Sequence, residues 1–416
     1  MNMNVQSKTF VLYVILAGWV AVNGQETLRG YADKIGLNIG TCLGGRTYQS
    51  NQQFQQVLIR EFNTIVAENE MKASAMQPQE GQFSFGTADQ LVAFAQTNHM
   101  KVRGHTLIWH AQNPTWLTSG TWTRETLLAA MKAHITGVVS HFKGKVFEWD
   151  VVNEAFSDGG SPSLRNSFWR KNIGDDFIDS AFTYAHQADS DAILYYNDYN
   201  TSDVNGKSTA VYYKLKQMID NGIPVSGVGF QSHQTLEQYS GNFIASLKEN
   251  FDRFAKLGLS LAVTEMDIRI TLPSDQADFD KQGQFYGDFL KTFLENPAGR
   301  TFMTWGFTDR YSWIPGTFPG TGEALIFTTN YEPKPAYTQM LAVLKNFEYA
   351  AILPSATPRT GASANPYTIH RSVARDLFNL RGVKIGSYTV SQQGIRPVAC
   401  QAVLSNECNR PRMLMK

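Results

Sequence analysis

The sequence is poor in cysteine: Cys42, Cys400 and Cys408 are the only three among 416 residues. At most one internal disulfide can form, and a chain this long buries a core that does not need disulfide staples. Cys400 with Cys408 is the plausible pair, whereas Cys42 lies in an apolar run and reads as a buried free thiol. A surplus of either charge is also missing, with 37 Lys and Arg against 36 Asp and Glu. Such a balance offers no global field for nucleic acid or a membrane surface, and a neutral partner fits better. Metal and phosphate signatures are lacking. His105 and His110 miss the i, i+4 spacing of a helical zinc site, no cysteine pair has zinc-ligand spacing, and there is neither a glycine-rich phosphate loop nor a serine nucleophile elbow. The apolar run Phe10 to Val22 is too short to span a bilayer comfortably. It follows Lys8 and ends in the small-residue stretch Val22-Asn23-Gly24, so residues 1–24 read as a signal peptide cleaved near Gln25 and the mature chain as secreted. A retained membrane anchor is the weaker alternative.

What the chain does have is a large apolar fraction, 43%, with 12% aromatic residues that serve equally as core and as platforms for sugar rings. Eight strand-like segments recur: Ile35 to Leu43, Thr64 to Glu70, Val102 to Trp109, Phe147 to Glu154, Ala192 to Tyr199, Gly227 to His233, Leu261 to Ile268 and Phe302 to Asp309. Helical spacing of apolar residues separates them, for example over Thr126 to Phe142, Asp176 to Ala188 and Phe243 to Leu257. Alternation of this kind predicts an α/β chain, a (β/α)8 TIM barrel over residues 25–347, with a doubly wound open sheet as the alternative. The barrel is favoured because strand after strand ends in polar residues that a plain core would not accept. Glu68, Asn69 and Glu70 close the second, His105 and His110 border the third, and Asn153 with Glu154 close the fourth. Asn197 and Asp198, Gln231 and His233, and Glu265 and Asp267 close the next three. That pattern describes a lined pocket at the carboxyl ends of the strands.

Beyond Phe347 the character changes. Pro354, Pro358, Gly361 and Pro366 mark a linker, and residues 354–416 carry nine Lys and Arg against two Asp and Glu. Residues 348–416 are therefore expected to be a basic extension, disordered or weakly folded, that could be a sorting segment, a basic arm for acidic cell-wall polymers, or a stretch foreign to the natural gene. Its few aromatics and lack of Trp argue against a carbohydrate-binding module.

The chemistry concentrates on Glu154 and Glu265. Each closes a strand beside a polar neighbour, in Trp149-Asp150-Val151-Val152-Asn153-Glu154 and in Val263-Thr264-Glu265-Met266-Asp267. One glutamate alone would read as a salt-bridge anchor. Two on separate strand ends read as the carboxyl pair of glycoside hydrolysis, one giving a proton to the leaving oxygen and one attacking or supporting the anomeric carbon.

Together with Arg103-Gly-His105-Thr-Leu-Ile-Trp109-His110 and Glu68-Asn69-Glu-Met-Lys72, these motifs resemble glycoside hydrolase family 10, the endo-β-1,4-xylanases, from about Leu28 to Asn346. The resemblance implies the (β/α)8 barrel, retention of anomeric configuration, no metal or organic cofactor, and xylan and xylo-oligosaccharides as partners of a monomeric enzyme. It implies Glu154 as general acid/base, held protonated before bond cleavage, and Glu265 as nucleophile. His233, in Phe230-Gln231-Ser232-His233, would bond the nucleophile, and Asp267 would orient that histidine. Asn153 would donate to the substrate's 2-hydroxyl, although a buried structural amide reads as well from the residues alone. Glu68, Asn69, Lys72, His105, Trp109 and Gln231 would form a polar floor under the sugar, with Asn197 joining the substrate contacts. Lys72 by itself could simply be solvated. Trp305 and Trp313 would roof the same subsite, their bulk near C5 selecting xylose over glucose, and Tyr199 would stack on the leaving-group side. A barrel glycosidase acting on β-1,4-glucan, or a sugar-binding protein that has lost catalysis, are the competing readings. The sequon Asn200-Thr201-Ser202 lies beside the fifth strand end.

Overall fold

The structure, a computed structural model, describes residues 26–45, 47–159 and 162–351 and the strand segments 373–378, 384–391 and 394–398. The predicted signal peptide and the pair Cys400 and Cys408 lie outside the described residues. The chain divides into two compact units after Ala356.

The first unit is built on eight parallel strands: β1 (Asn38–Leu43), β2 (Thr64–Ala67), β3 (Lys101–Trp109), β4 (Val146–Asn153), β5 (Ile193–Asp198), β6 (Gly227–Phe230), β7 (Ser260–Thr271) and β8 (Gly299–Thr304). Neighbours pair in sequence order, and β8 pairs with β1 through Ile39 opposite Phe302, so the sheet closes into a barrel. Strands covered on both sides must be apolar throughout, and Thr64-Ile65-Val66-Ala67 is buried at every position. The helices between them start where the sequence supplies caps. Thr123 with Thr126, Asn205 with Ser208, and Asp275 with Asp278 each form a reciprocal cap that satisfies the free N–H groups of the first turn.

Small residues leave room for the barrel filling. A Cβ on Gly104 would lie 2.1 Å from the Trp149 ring, so glycine on β3 is what admits the buried indole of β4. Arg103 on β3 is fully buried between Glu148 (2.7 Å) and Asp150 (2.5 Å) of β4, a charge cluster that is tolerable only because it is paired. Buried Glu61 accepts from the Leu28 backbone N–H and the Tyr337 hydroxyl, both at 3.0 Å, tying the first helix (Leu28–Ile35) to the last (Pro335–Ala351).

Differences from the sequence reading have local causes. The sixth segment does not run unbroken to His233: Ser232 is left-handed (φ 63°), β6 stops at Phe230, and a short strand, His233–Thr235, resumes against β7 with His233 opposite Asp267. β8 ends at Thr304 rather than Asp309 because Gly306 (φ 92°) turns the chain. The last helix continues to Ala351, past the expected end at 347. In the second unit the structure places three antiparallel strands, Val373–Phe378, Lys384–Ser391 and Gly394–Val398, in a stretch expected to be disordered or weakly folded.

Candidate active site

The carboxyl ends of the strands surround a cleft of about 540 Å³. Its wall includes Glu68, Lys72, His105, Trp109, Asn153, Glu154, Tyr199, Gln231, His233, Glu265, Trp305 and Trp313. Of the expected site residues, Asn69, Asn197 and Asp267 do not line it.

Glu154 directly follows β4 with its backbone in the left-handed region (φ 55°), a conformation that non-glycine residues adopt at a cost and that recurs at functional sites. Its Oε2 accepts from Trp109 Nε1 at 2.9 Å and lies 3.0 Å from His110 Nε2, while Oε1 accepts from Gln231 Nε2 at 2.9 Å and Asn153 Nδ2 at 3.2 Å. Burial would raise its pKa, but the contacts from His110, Gln231 and Trp109 outweigh it and lower the carboxyl to about 2. In the unliganded cleft these contacts favour the carboxylate, in contrast to the protonated Glu154 expected before bond cleavage. The indole and amide N–H groups can only donate, and donors favour the carboxylate.

Glu265, midway along β7, accepts from Asn197 Nδ2 at 2.9 Å and faces His233 Nε2 at 3.3 Å. His233 Nδ1 lies 2.9 Å from Asp267 Oδ2, which also accepts from Trp313 Nε1 at 2.8 Å. Desolvation works against charge on this imidazole, yet Asp267 and then Glu265 overcome it and raise His233 to about 10, so it stands as an imidazolium. Asp267 is therefore a positioning residue: fully buried, it fixes both the histidine and the Trp313 ring. Asn197 is likewise behind the cleft and not on its wall. Its amide bridges Glu265 and Asn153 Oδ1 (3.0 Å) and its oxygen accepts from Thr264 (2.7 Å), which leaves it committed to holding the two glutamate strands in register. Gln231 also donates to Asn153 Oδ1 at 3.2 Å, so amides of Gln231, Asn153 and Asn197 connect Glu154 to Glu265.

On the floor, Lys72 Nζ donates to Asn69 Oδ1 at 3.2 Å and sits 4.9 Å from the centre of the Trp109 ring. Burial lowers its pKa and raises that of Glu68, each offset by the other's charge. Asn69 itself is exposed and serves Lys72 and Gln112. His105 is fixed by Asp150 at 2.9 Å from Nδ1 and meets the edge of Trp305. Cys42 is a buried free thiol packed near Trp305.

Several contributors had no readable signal in sequence. In sequence His110 only borders a strand, but in the fold it is a direct neighbour of Glu154. Lys207, from the helix Gly206–Asp220, pairs with Asp198 (2.9 Å) and Asp158 (3.1 Å) and lies 3.5 Å from the Tyr199 ring centre. Arg165 donates to the Tyr199 hydroxyl at 3.0 Å, and that hydroxyl donates to Asp158. Arg269 and Phe318 complete the rim.

Comparison with known proteins settles the lineage. The model of glycosyl hydrolase family 10 matches residues 27–343. The chain belongs to that family. It is 43% identical over 331 residues to endo-1,4-beta-xylanase B of Thermotoga neapolitana, covering 78% of this chain and 94% of the relative. It is 39% identical over 343 residues to endo-1,4-beta-xylanase 1 of Humicola insolens, covering 82% and 78%. Among solved structures, xylanase 10B of Thermotoga petrophila in complex with xylobiose superposes with a TM-score of 0.75 at 43% identity, covering 77% of this chain and 98% of that one. Members of family 10 are glycoside hydrolases, and Glu154 and Glu265 line the cleft of this family member.

Proposed function

We propose that this family 10 enzyme is a secreted, retaining endo-β-1,4-xylanase that cleaves internal bonds of xylan by double displacement. The observation that carries the reading is the unequal setting of two glutamates in one cleft: Glu265 faces an imidazolium held by Asp267, and Glu154 is ringed by Trp109, His110, Gln231 and Asn153. The xylanase relatives and the xylobiose complex support the substrate. Secretion rests on the N-terminal apolar segment alone. Among the described residues no helix is long and apolar enough to cross a membrane.

In this account Glu265 attacks the anomeric carbon as a carboxylate, and Glu154 delivers the proton to the departing oxygen. Glu154 starts ionised, so its proton affinity must rise when sugar binds. The glycosidic oxygen supplies that rise, because it is an acceptor placed against a carboxyl otherwise surrounded by donors, and the entering sugar also excludes water. Once the glycosyl-enzyme ester has formed, Glu154 has given up its proton and, as a carboxylate, takes one from the attacking water. Asn153 has one amide hydrogen on Glu154 and a second available for the 2-hydroxyl, a contact that strengthens as the oxocarbenium-like transition state develops. In this reading Trp305 and Trp313 on the cleft wall stand beside the sugar's C5, where their bulk disfavours a hydroxymethyl group, and Tyr199 stacks on the leaving-group side.

The test compares Glu265→Ala with Glu154→Ala. Glu265→Ala is expected to abolish turnover of every substrate. Glu154→Ala is expected to lose xylan but retain the first chemical step on aryl xylobiosides whose leaving groups need no proton. Equal loss on both substrate types would reject the acid assignment, and faster cleavage of carboxymethylcellulose than of xylan would reject the xylanase reading.

A further inference from the structure

Two side chains on the cleft wall carry a positive charge that does not depend on histidine, Lys72 and Arg269, and they are placed very differently. Lys72 is buried among carboxyl groups, with Glu265, Glu68 and Glu154 all acting on it. The Arg269 side chain has neither an ion pair nor a hydrogen bond among the described residues. Its guanidinium lies 4.1 Å from the centre of the Phe318 ring, which supports one face of the fork. Glu237, just beyond the short strand that pairs with β7, is committed elsewhere, accepting from Thr271 at 3.2 Å and feeling Lys281.

Position adds a second argument. Along β7, Glu265, Asp267 and Arg269 recur at every second residue and so share a face of the strand. The register carries this outward: His233 lies opposite Asp267, and Thr235 lies opposite Arg269. Arg269 thus sits about 13 Å along the strand from Glu265, above the reaction centre and toward the mouth. A neutral xylan backbone needs hydroxyl-bonding groups there, not an unpaired cation. A half-buried guanidinium with its donors open and one face held by an aromatic ring is the geometry that takes a carboxylate through two parallel hydrogen bonds.

We infer that Arg269, backed by Phe318, is a binding site for the carboxylate of a uronic acid branch on the xylan chain. The inference rests on the xylanase reading and goes beyond it. Glu68, Glu154 and Glu265 on the floor repel the same carboxylate, so the branch is accepted only where it points outward along β7.

Two purified xylo-oligosaccharides of equal length test this, one linear and one with a single uronic acid branch, together with the methyl ester of that branch. The quantity read is kcat/KM for branched relative to linear substrate. In Arg269→Gln this ratio falls about ten-fold or more, as expected for one charge-assisted contact, and the wild-type enzyme shows the same fall when the branch is esterified. The ester's ratio is the same in wild type and variant. An unchanged ratio in a folded Arg269→Gln, or equal wild-type cleavage of acid and ester, overturns the proposal. The acid-against-ester comparison needs no variant and decides the matter if Arg269→Gln does not fold. Cleavage of neither oligosaccharide would instead reject the xylanase reading, and this site with it.

Discussion

His233→Asn is the substitution whose consequence follows most directly from the geometry. The wild-type imidazole is ordinarily half-protonated near pH 6.5 when exposed, and in the fold Asp267 and Glu265 raise it to about 10 against the effect of burial. A group with a raised pKa contributes stability that is complete below its unfolded value and is lost as pH climbs through its folded value. The window is therefore pH 6.5 to 10, and the contribution is on the order of 5 kcal/mol at its upper limit. His233→Asn removes this contribution and leaves buried Asp267 with only the Trp313 N–H as a partner. The variant should be several kcal/mol less stable than wild type at pH 6, and the difference should shrink steadily toward pH 10, where the wild-type histidine is itself losing its proton. Reversible urea unfolding of both proteins across pH 6 to 10.5 measures it. A difference that stays constant over the window would show that His233 does not carry a proton there, and the account of Glu265 facing a cation would fail.

Other outcomes follow from the same contacts. Trp109→Phe removes one donor from Glu154, so the carboxyl pKa rises above about 2; carbon NMR titration of the labelled side chain should show an upward move, and a fall would contradict the donor argument. Gly104→Ala forces a Cβ to within 2.1 Å of Trp149, and overpacking of this kind costs about 1–3 kcal/mol or more in a thermal or urea melt. Lys207→Met leaves Asp198 without its buried cation and frees the Tyr199 ring, so KM for xylan should rise more than kcat falls, together with a lower melting temperature.

The barrel was legible because its strands are apolar runs that end in polar residues, a pattern set by where a closed parallel sheet meets solvent. Glu154 could be read from its position at such an end, Glu265 from its polar neighbours although its strand runs on to Thr271, and His233 from its neighbours in the chain. What could not be read was decided by side-chain partners from distant segments. Nothing local to Asn197 says that its amide faces Glu265 and not sugar, and nothing local to Glu154 says that three different elements bring N–H groups to it. Its ionised state depends on those contacts, so residue type alone gave the opposite expectation. Lys207 beneath Tyr199 and Arg269 against Phe318 likewise exist only once the loops are folded.

The central claim is that Glu265 attacks while Glu154 manages the proton, with retention at the anomeric carbon. Proton NMR of a xylo-oligosaccharide digest, recorded from the first seconds, tests it most directly. The account predicts that β-anomeric product appears first and the α-anomer grows in only by mutarotation. Initial appearance of the α-anomer would contradict it.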